Sequence, residues 1–254
     1  MSYVLYEKKG HIVYITLNRP ERLNAVGTEV SRQLMEAEGN FEFDSDAWVA
    51  IYTGAGDRAF SAGFDLKEGA ETRGRGQPRQ PGQRAAPPVE VTKPTIAAVN
   101  GLAYGGGFEL AQGCDIRICS ENAVFAMPEV KRGLMPVPGL LALPRLLGQS
   151  TALLLMLTGD PIDAQEALRL GVVAKVVPPA ELIPAATRIA ESICQNGPLA
   201  VRAVKQIVKL GSEIPLEYAR RFAAPMIDAV WASEDAQEGM TAFVEKRKPE
   251  WKMR

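Results

Sequence analysis

The stretch "AYGGGFELAQGCD", Ala103 to Asp115, sets three consecutive glycines before a glutamate in an otherwise apolar run. Glycine is a poor helix former and loses the most chain entropy on ordering. A glutamate facing a core is costly unless it is paired or used. One local structure accounts for both. If a helix opens at the triplet, its first N–H groups lack intrahelical partners, and the helix dipole favours negative charge there. Gly106 and Glu109, three apart, then share one side of the first turn. A second small-residue turn, "FSAGFDL" from Phe60 to Leu66, can present another backbone N–H. Two such donors suit a carbonyl oxygen that becomes an enolate. The triplet suits a tight helix–strand contact equally well.

A second carboxylate stands in "FAMPEVKRGL". Glu129 follows Pro128 at the end of a strand-like run, where α/β proteins place ligands. A capping or surface role is the alternative.

Outward from these two segments the chain alternates short strands and helices. "YVLYEKKGHIVYITL" reads as a β-hairpin with a glycine-centred turn, and His11 as a turn residue. "GTEVSRQLMEAEGNFEFD" has helical spacing, with Thr28 as N-cap. "WVAIYTG", "TIAAVNG", "CDIRICS" and "AVFAMP" are short apolar runs of the kind that form buried parallel strands. From Thr151 onward helices dominate, with one strand at "VVAKVV" and a break or kink at Pro225. An α/β layered core with a helical extension follows. Glu71 to Val91, rich in Gly, Pro, Gln and Arg, reads as a mobile loop. Its arginines Arg73, Arg75, Arg79 and Arg84 could meet an anionic ligand, although a solvated loop explains them as well.

The 254 residues suffice for one large α/β domain, or a domain with a small appendage. A net charge of −1 argues against a nucleic-acid partner. Cys114, Cys119 and Cys194 have neither CxxC spacing nor an even count, so they read as small buried residues in a reducing compartment. A single histidine argues against a His-based triad or a multi-His metal site, which leaves acid–base chemistry mainly to carboxylates. The N-terminal segment lacks a signal-peptide pattern and no run approaches a membrane span, so a cytoplasmic location is expected. "YTGAGDRA" matches the dinucleotide fingerprint at Gly54, Gly56 and Ala59, but turn-prone residues follow where a helix is required.

Five segments, "LNRPERLNAV", "FSAGFDLKE", "KPTIAAVNGLAYGGGFELAQGCDIRI", "AVFAMPEVKRGLMP" and "EGMTAFVEKRKPEW", resemble the crotonase (enoyl-CoA hydratase/isomerase) family, in family order along the whole chain. The resemblance implies an α/β fold: a crotonase-like spiral of ββα units in residues 1–195 and a helical C-terminal oligomerisation region in 196–254. It implies trimers or pairs of trimers, an acyl-CoA thioester as substrate, and no metal or redox cofactor, coenzyme A being part of the substrate. The family's acid–base pair maps onto Glu109 and Glu129, and its oxyanion hole onto the N–H groups of Ala62 and Gly106. CoA contacts map onto Ala62, Gly63, Phe64, Asp65, Leu66 and Lys67, with Lys246 and nearby Phe243 in the C-terminal helix. Two glutamates fit hydration of a trans-2-enoyl-CoA. Isomerisation, carnitinyl-CoA dehydration, non-catalytic acyl-CoA binding and RNA binding are the alternatives. One departure is "GLMPVPGLLALPRLLG", where hydratases commonly carry a glycine-rich run ending in Arg-Leu. It borders the acyl pocket in the family, so a specialised acyl group is expected.

Overall fold

The computed structural model describes residues 2–74, 90–137 and 139–254. The N-terminal hairpin forms as its alternation predicts: β1 (Val4–Lys9) pairs antiparallel with β2 (Ile12–Leu17) across a turn at Gly10 and His11. Helix α1 (Thr28–Phe43) follows, but its N-cap is Gly27. Thr28 is the first helical residue, and its N–H donates to Glu68 Oε1 at 2.9 Å. A carboxylate from a neighbouring element thus does the capping expected of the Thr28 hydroxyl.

A repeated unit then appears. β3 (Val49–Gly54), β4 (Ala59–Ser61) and α2 (Leu66–Gly74) are followed by β5 (Thr95–Val99), β6 (Leu102–Tyr104) and α3 (Gly106–Gly113), then by β7 (Ile116–Ser120) and β8 (Val124–Ala126). The first strand of each pair joins one sheet and the second joins another. The six-stranded sheet has the order β1-β2-β3-β5-β7-β10, and the four-stranded sheet β4-β6-β8-β9. Neighbours from successive units are parallel in both sheets. The chain therefore advances as a spiral of ββα turns. β4 runs straight on from the loop after β3, so no helix opens at Gly54 and Gly56 and the dinucleotide fingerprint lacks its helix.

The remaining elements are α4 (Gly139–Leu147), α5 (Gln149–Thr158), β9 (Ile162–Asp163), α6 (Ala164–Arg169), β10 (Lys175–Val177), α7 (Leu182–Cys194), α8 (Pro198–Gly211), α9 (Leu216–Trp231) and α10 (Glu234–Glu245). Helix α9 runs unbroken through Pro225, so the expected break does not occur. Proline there removes one hydrogen bond to the preceding turn, and packing on α8 keeps the helix continuous. Of the expected loop at 71–91, the first four residues complete α2 and Val91 packs on the core. Arg75, Arg79 and Arg84, with the side chain of Arg73, lie outside the described residues.

Period-two alternation decides what each strand packs against. Val49 and Ile51 of β3 face α7, which contributes Leu182, Ala185, Ala186 and Ala190. Ala50 and Tyr52 face the other way, into a core shared with α1 and the smaller sheet. Phe41, Phe60, Phe108, Phe125 and Met127 fill that core, with Phe108 and Phe125 ring centroids 5.2 Å apart. Burying Phe108 contributes about 1.5–3 kcal/mol. That is enough to offset the roughly 0.5–1 kcal/mol that each helical glycine of α3 costs. Among the described residues no helix is long and apolar enough to cross a membrane.

Candidate active site

The three glycines divide their work. Gly107 lies against β4, where any Cβ would collide with the Ser61 carbonyl, so a tight helix–strand contact is real. Gly105 has φ +51°, and a Cβ on it would lie 2.8 Å from Glu129 Oε1. Gly106 opens α3, and its N–H has no acceptor among the described residues.

The turn from Ser61 to Asp65 is clasped by "NRPERLNAV". Asn24 is buried, and its amide donates to Ala55 O at 3.1 Å and Ala59 O at 2.8 Å. Ser61 Oγ donates to Asn24 O at 2.8 Å and accepts from Gly63 N–H at 3.1 Å. Val26 N–H donates to Gly63 O at 2.7 Å, and Asp65 N–H to Val26 O at 3.0 Å. Ala62 N–H donates to Leu23 O at 2.9 Å. Of the amides from Ala62 to Asp65, that of Phe64 alone has no acceptor among the described residues. A Cβ on Gly106 would lie 3.6 Å from Phe64 N, so these two free donors are neighbours. The expectation for Ala62 is corrected accordingly. Its N–H is engaged by the clasp, and the second donor beside Gly106 is Phe64.

Two carboxyl groups lie by the glycines: a Cβ on Gly106 would stand 3.9 Å from Glu109 Oε2, and the one on Gly105 meets Glu129. Glu109 Oε1 accepts from Gly139 N–H at 2.8 Å, so the first residue of α4 holds the glutamate of α3. Burial pushes the Glu109 carboxyl up; the Gly139 bond opposes this and the neighbouring Glu129 charge adds to it. Glu129 sits in the 3-10 turn Pro128–Arg132 after β8. Burial pushes its carboxyl up as well, against its own backbone N–H and Arg132. Its Oε2 is buried with no hydrogen-bond partner among the described residues.

Glu109, Gly106 and Phe64 line a cavity of about 1090 Å³ that reaches Glu38, Tyr52 and Lys205. Lys205 belongs to α8, so the C-terminal helical region contributes to the cavity wall. Of the other expected CoA contacts, Asp65 is 5% exposed, pairs with Arg19 at 2.8 Å and accepts from the N–H groups of Lys67 and Glu68 at 3.1 and 3.2 Å. Its side chain caps α2, and its own N–H and carbonyl bond Val26 and Gly69. Phe64, Leu66 and Lys67 are exposed beside it. Phe243 is 85% exposed and lines a separate apolar hollow on α10, and neither it nor Lys246 lines the cavity of Glu109. Gly139 and Gly105 were missed in the sequence. The signal for Gly139 was a glycine opening the apolar run "GLLAL" after two prolines, which marks a helix start. No cluster of three or more His, Cys, Asp or Glu that could hold a metal occurs among the described residues.

Two half-buried carboxyls beside two free, adjacent backbone donors define a site that can polarise a carbonyl and move protons at the neighbouring carbons. The enoyl-CoA hydratase/isomerase family matches residues 7–254, and the chain belongs to that family. A carnitinyl-CoA dehydratase from Salmonella paratyphi B is 44% identical over 254 residues, covering 97% of each chain. The crystal structure of an enoyl-CoA hydratase from Mycobacterium tuberculosis has TM-score 0.90 at 40% identity, covering 99% of each chain. That of an enoyl-CoA hydratase from Bacillus anthracis has TM-score 0.91 at 34% identity, covering 100% of each. The chain is thus a crotonase-fold enzyme whose relatives are hydratases and dehydratases, consistent with a hydro-lyase.

Proposed function

We propose that the enzyme adds water reversibly to a trans-2-enoyl-CoA, giving a 3-hydroxyacyl-CoA. The observation that carries this is that Glu109 lines one cavity with the free N–H groups of Gly106 and Phe64, while Glu129 lies against Gly105 and its charge acts on Glu109. The thioester oxygen accepts from both amides and draws electrons from the conjugated double bond. A water held between the carboxyls adds through its oxygen at Cβ while Glu109 takes its proton. Glu129 delivers a proton to Cα, and the enolate collapses to the thioester. The reverse sequence eliminates water. Mutual repulsion favours one charged and one protonated carboxyl, which is the state the reaction needs.

Coenzyme A enters as part of the substrate, over the backbone of Ala62, Gly63, Phe64 and Asp65, with Leu66 and Lys67 beside its adenine. Phe243 and Lys246 lie away from their own chain's cavity. They serve CoA by being presented to a neighbouring copy in a trimer or a dimer of trimers, through the C-terminal helices of 196–254. A cytoplasmic enzyme fits this substrate. The carnitinyl-CoA dehydratase relative favours a second reading, elimination of water from a branched or cationic 3-hydroxyacyl-CoA, which uses the same groups in reverse. The test is incubation with enoyl-CoAs of several chain lengths. Loss of the conjugated thioester absorbance with a product heavier by one water is expected. Unchanged mass with a shifted double bond would assign an isomerase.

A further inference from the structure

Tyr52 is 4% exposed, yet among the described residues its hydroxyl has one partner, Glu38 Oε1 at 3.4 Å. That lies beyond the usual O–H···O range, so a buried phenol is left under-bonded. Burial pushes the Glu38 carboxyl up to about 7, with only the Tyr52 hydroxyl opposing. Both side chains line the cavity that also holds Gly106 and Glu109. Tyr52 and Cys114, the residue just past the end of α3, line that same cavity. Glu109 is five residues before Cys114, about 7.5 Å back along the helix axis. The hydration mechanism uses neither Glu38 nor Tyr52.

We propose that Glu38 and Tyr52 form a terminal subsite of the acyl cavity that takes a hydroxyl at the far end of the acyl chain. This rests on the acyl-CoA reading of the site, with the chain running from Gly106 past Cys114. A hydroxyl donates to the Glu38 carboxylate and accepts from the Tyr52 O–H, completing both groups. An ammonium cannot accept from Tyr52. A terminal carboxylate meets Glu38 with like charge. The cations that could compensate, Lys205 and Lys209, are both held by Asp115 at 2.8 and 3.0 Å. A methyl end leaves the pair buried and under-bonded, the situation in which sites built for a hydroxyl reject its analogue most strongly.

The test is calorimetric binding of saturated acyl-CoAs, so it does not depend on turnover. Chains of roughly six to twelve carbons, a range set by the helical reach, are compared with methyl, hydroxyl, amino and carboxyl ends. At the best-matched length the wild type binds the hydroxyl-ended ester at least roughly tenfold more tightly than the methyl-ended one. Glu38→Leu and Tyr52→Phe each shrink that ratio, while Glu38→Gln, which still accepts a hydrogen bond, keeps part of it. Equal affinity at every length, tighter binding of the amino or carboxyl ends, or an undiminished ratio in Glu38→Leu overturns the subsite. The wild-type ratio decides alone if a variant does not fold. Equal binding refutes only the subsite. No binding of any acyl-CoA refutes the acyl-CoA reading as well.

Discussion

Glu109 and Glu129 are held differently, and the difference suits different roles. Glu109 is fixed by Gly139 N–H, a bond that favours its charged form and a base role. Glu129→Gln should lower kcat on an enoyl-CoA by at least about 10²-fold, the usual worth of a general acid. CoA-ester affinity should change little, which stopped-flow kinetics and calorimetry would check together. At this scale the sequence was readable for side chains and less so for amides. The glutamates and Gly106 stand in recognisable motifs. Which N–H of Ala62 to Asp65 is free depends on Leu23 and Val26, whose carbonyls take the amides of Ala62 and Asp65, and on Ser61 Oγ, which takes that of Gly63. No local pattern carries that information.

At the scale of elements, α2 depends on Asp65. Burial would raise this carboxyl, but the Glu68 N–H and Arg19 outweigh it and hold it below the usual range. Its contribution is present above the unfolded pKa and is lost as pH falls through the folded one. Asp65→Ala removes the cap and Arg19's close partner, leaving it only the longer pair to Glu21 at 3.9 Å, so it should cost about 2–4 kcal/mol in urea unfolding. Since the same turn presents Phe64 N–H, KM should rise as well. The strands were legible because burial on both faces writes continuous apolar runs, as in β3. Element ends were less so. The cap of α1 comes from Glu68, forty positions away, and Pro225 sits within a helix that tertiary packing sustains. Helix α4, whose first amide holds Glu109, was seen only as a departure from the family pattern.

Across the whole molecule, acidity acts on Glu38 in the opposite sense to Asp65. Its folded value, raised by burial to about 7, exceeds the ordinary 4.5. The stabilisation it brings is complete below the unfolded pKa and is lost as pH rises through the folded one. Between about pH 5 and pH 8 the wild type should therefore lose a few kcal/mol that Glu38→Gln keeps, read as a difference in urea midpoints. Exposed Met240, Phe243 and Val244 on α10 predict association, and the family resemblance makes the expected assembly a trimer or hexamer. Light scattering showing a stable monomer at micromolar concentration would contradict that. The ββα spiral was legible only through family resemblance. Strand runs reveal neither that alternate strands enter different sheets nor that α8 of the C-terminal region walls the cavity. What decides the chemistry is whether one water is shared by Glu109 and Glu129. A 2-enoyl-CoA turned over in H₂¹⁸O and D₂O should gain ¹⁸O at C3 and deuterium at C2 on the same face, and Glu109→Gln should suppress the ¹⁸O uptake. Migration of the double bond with no ¹⁸O incorporated, at every chain length tried, would contradict hydration by this pair.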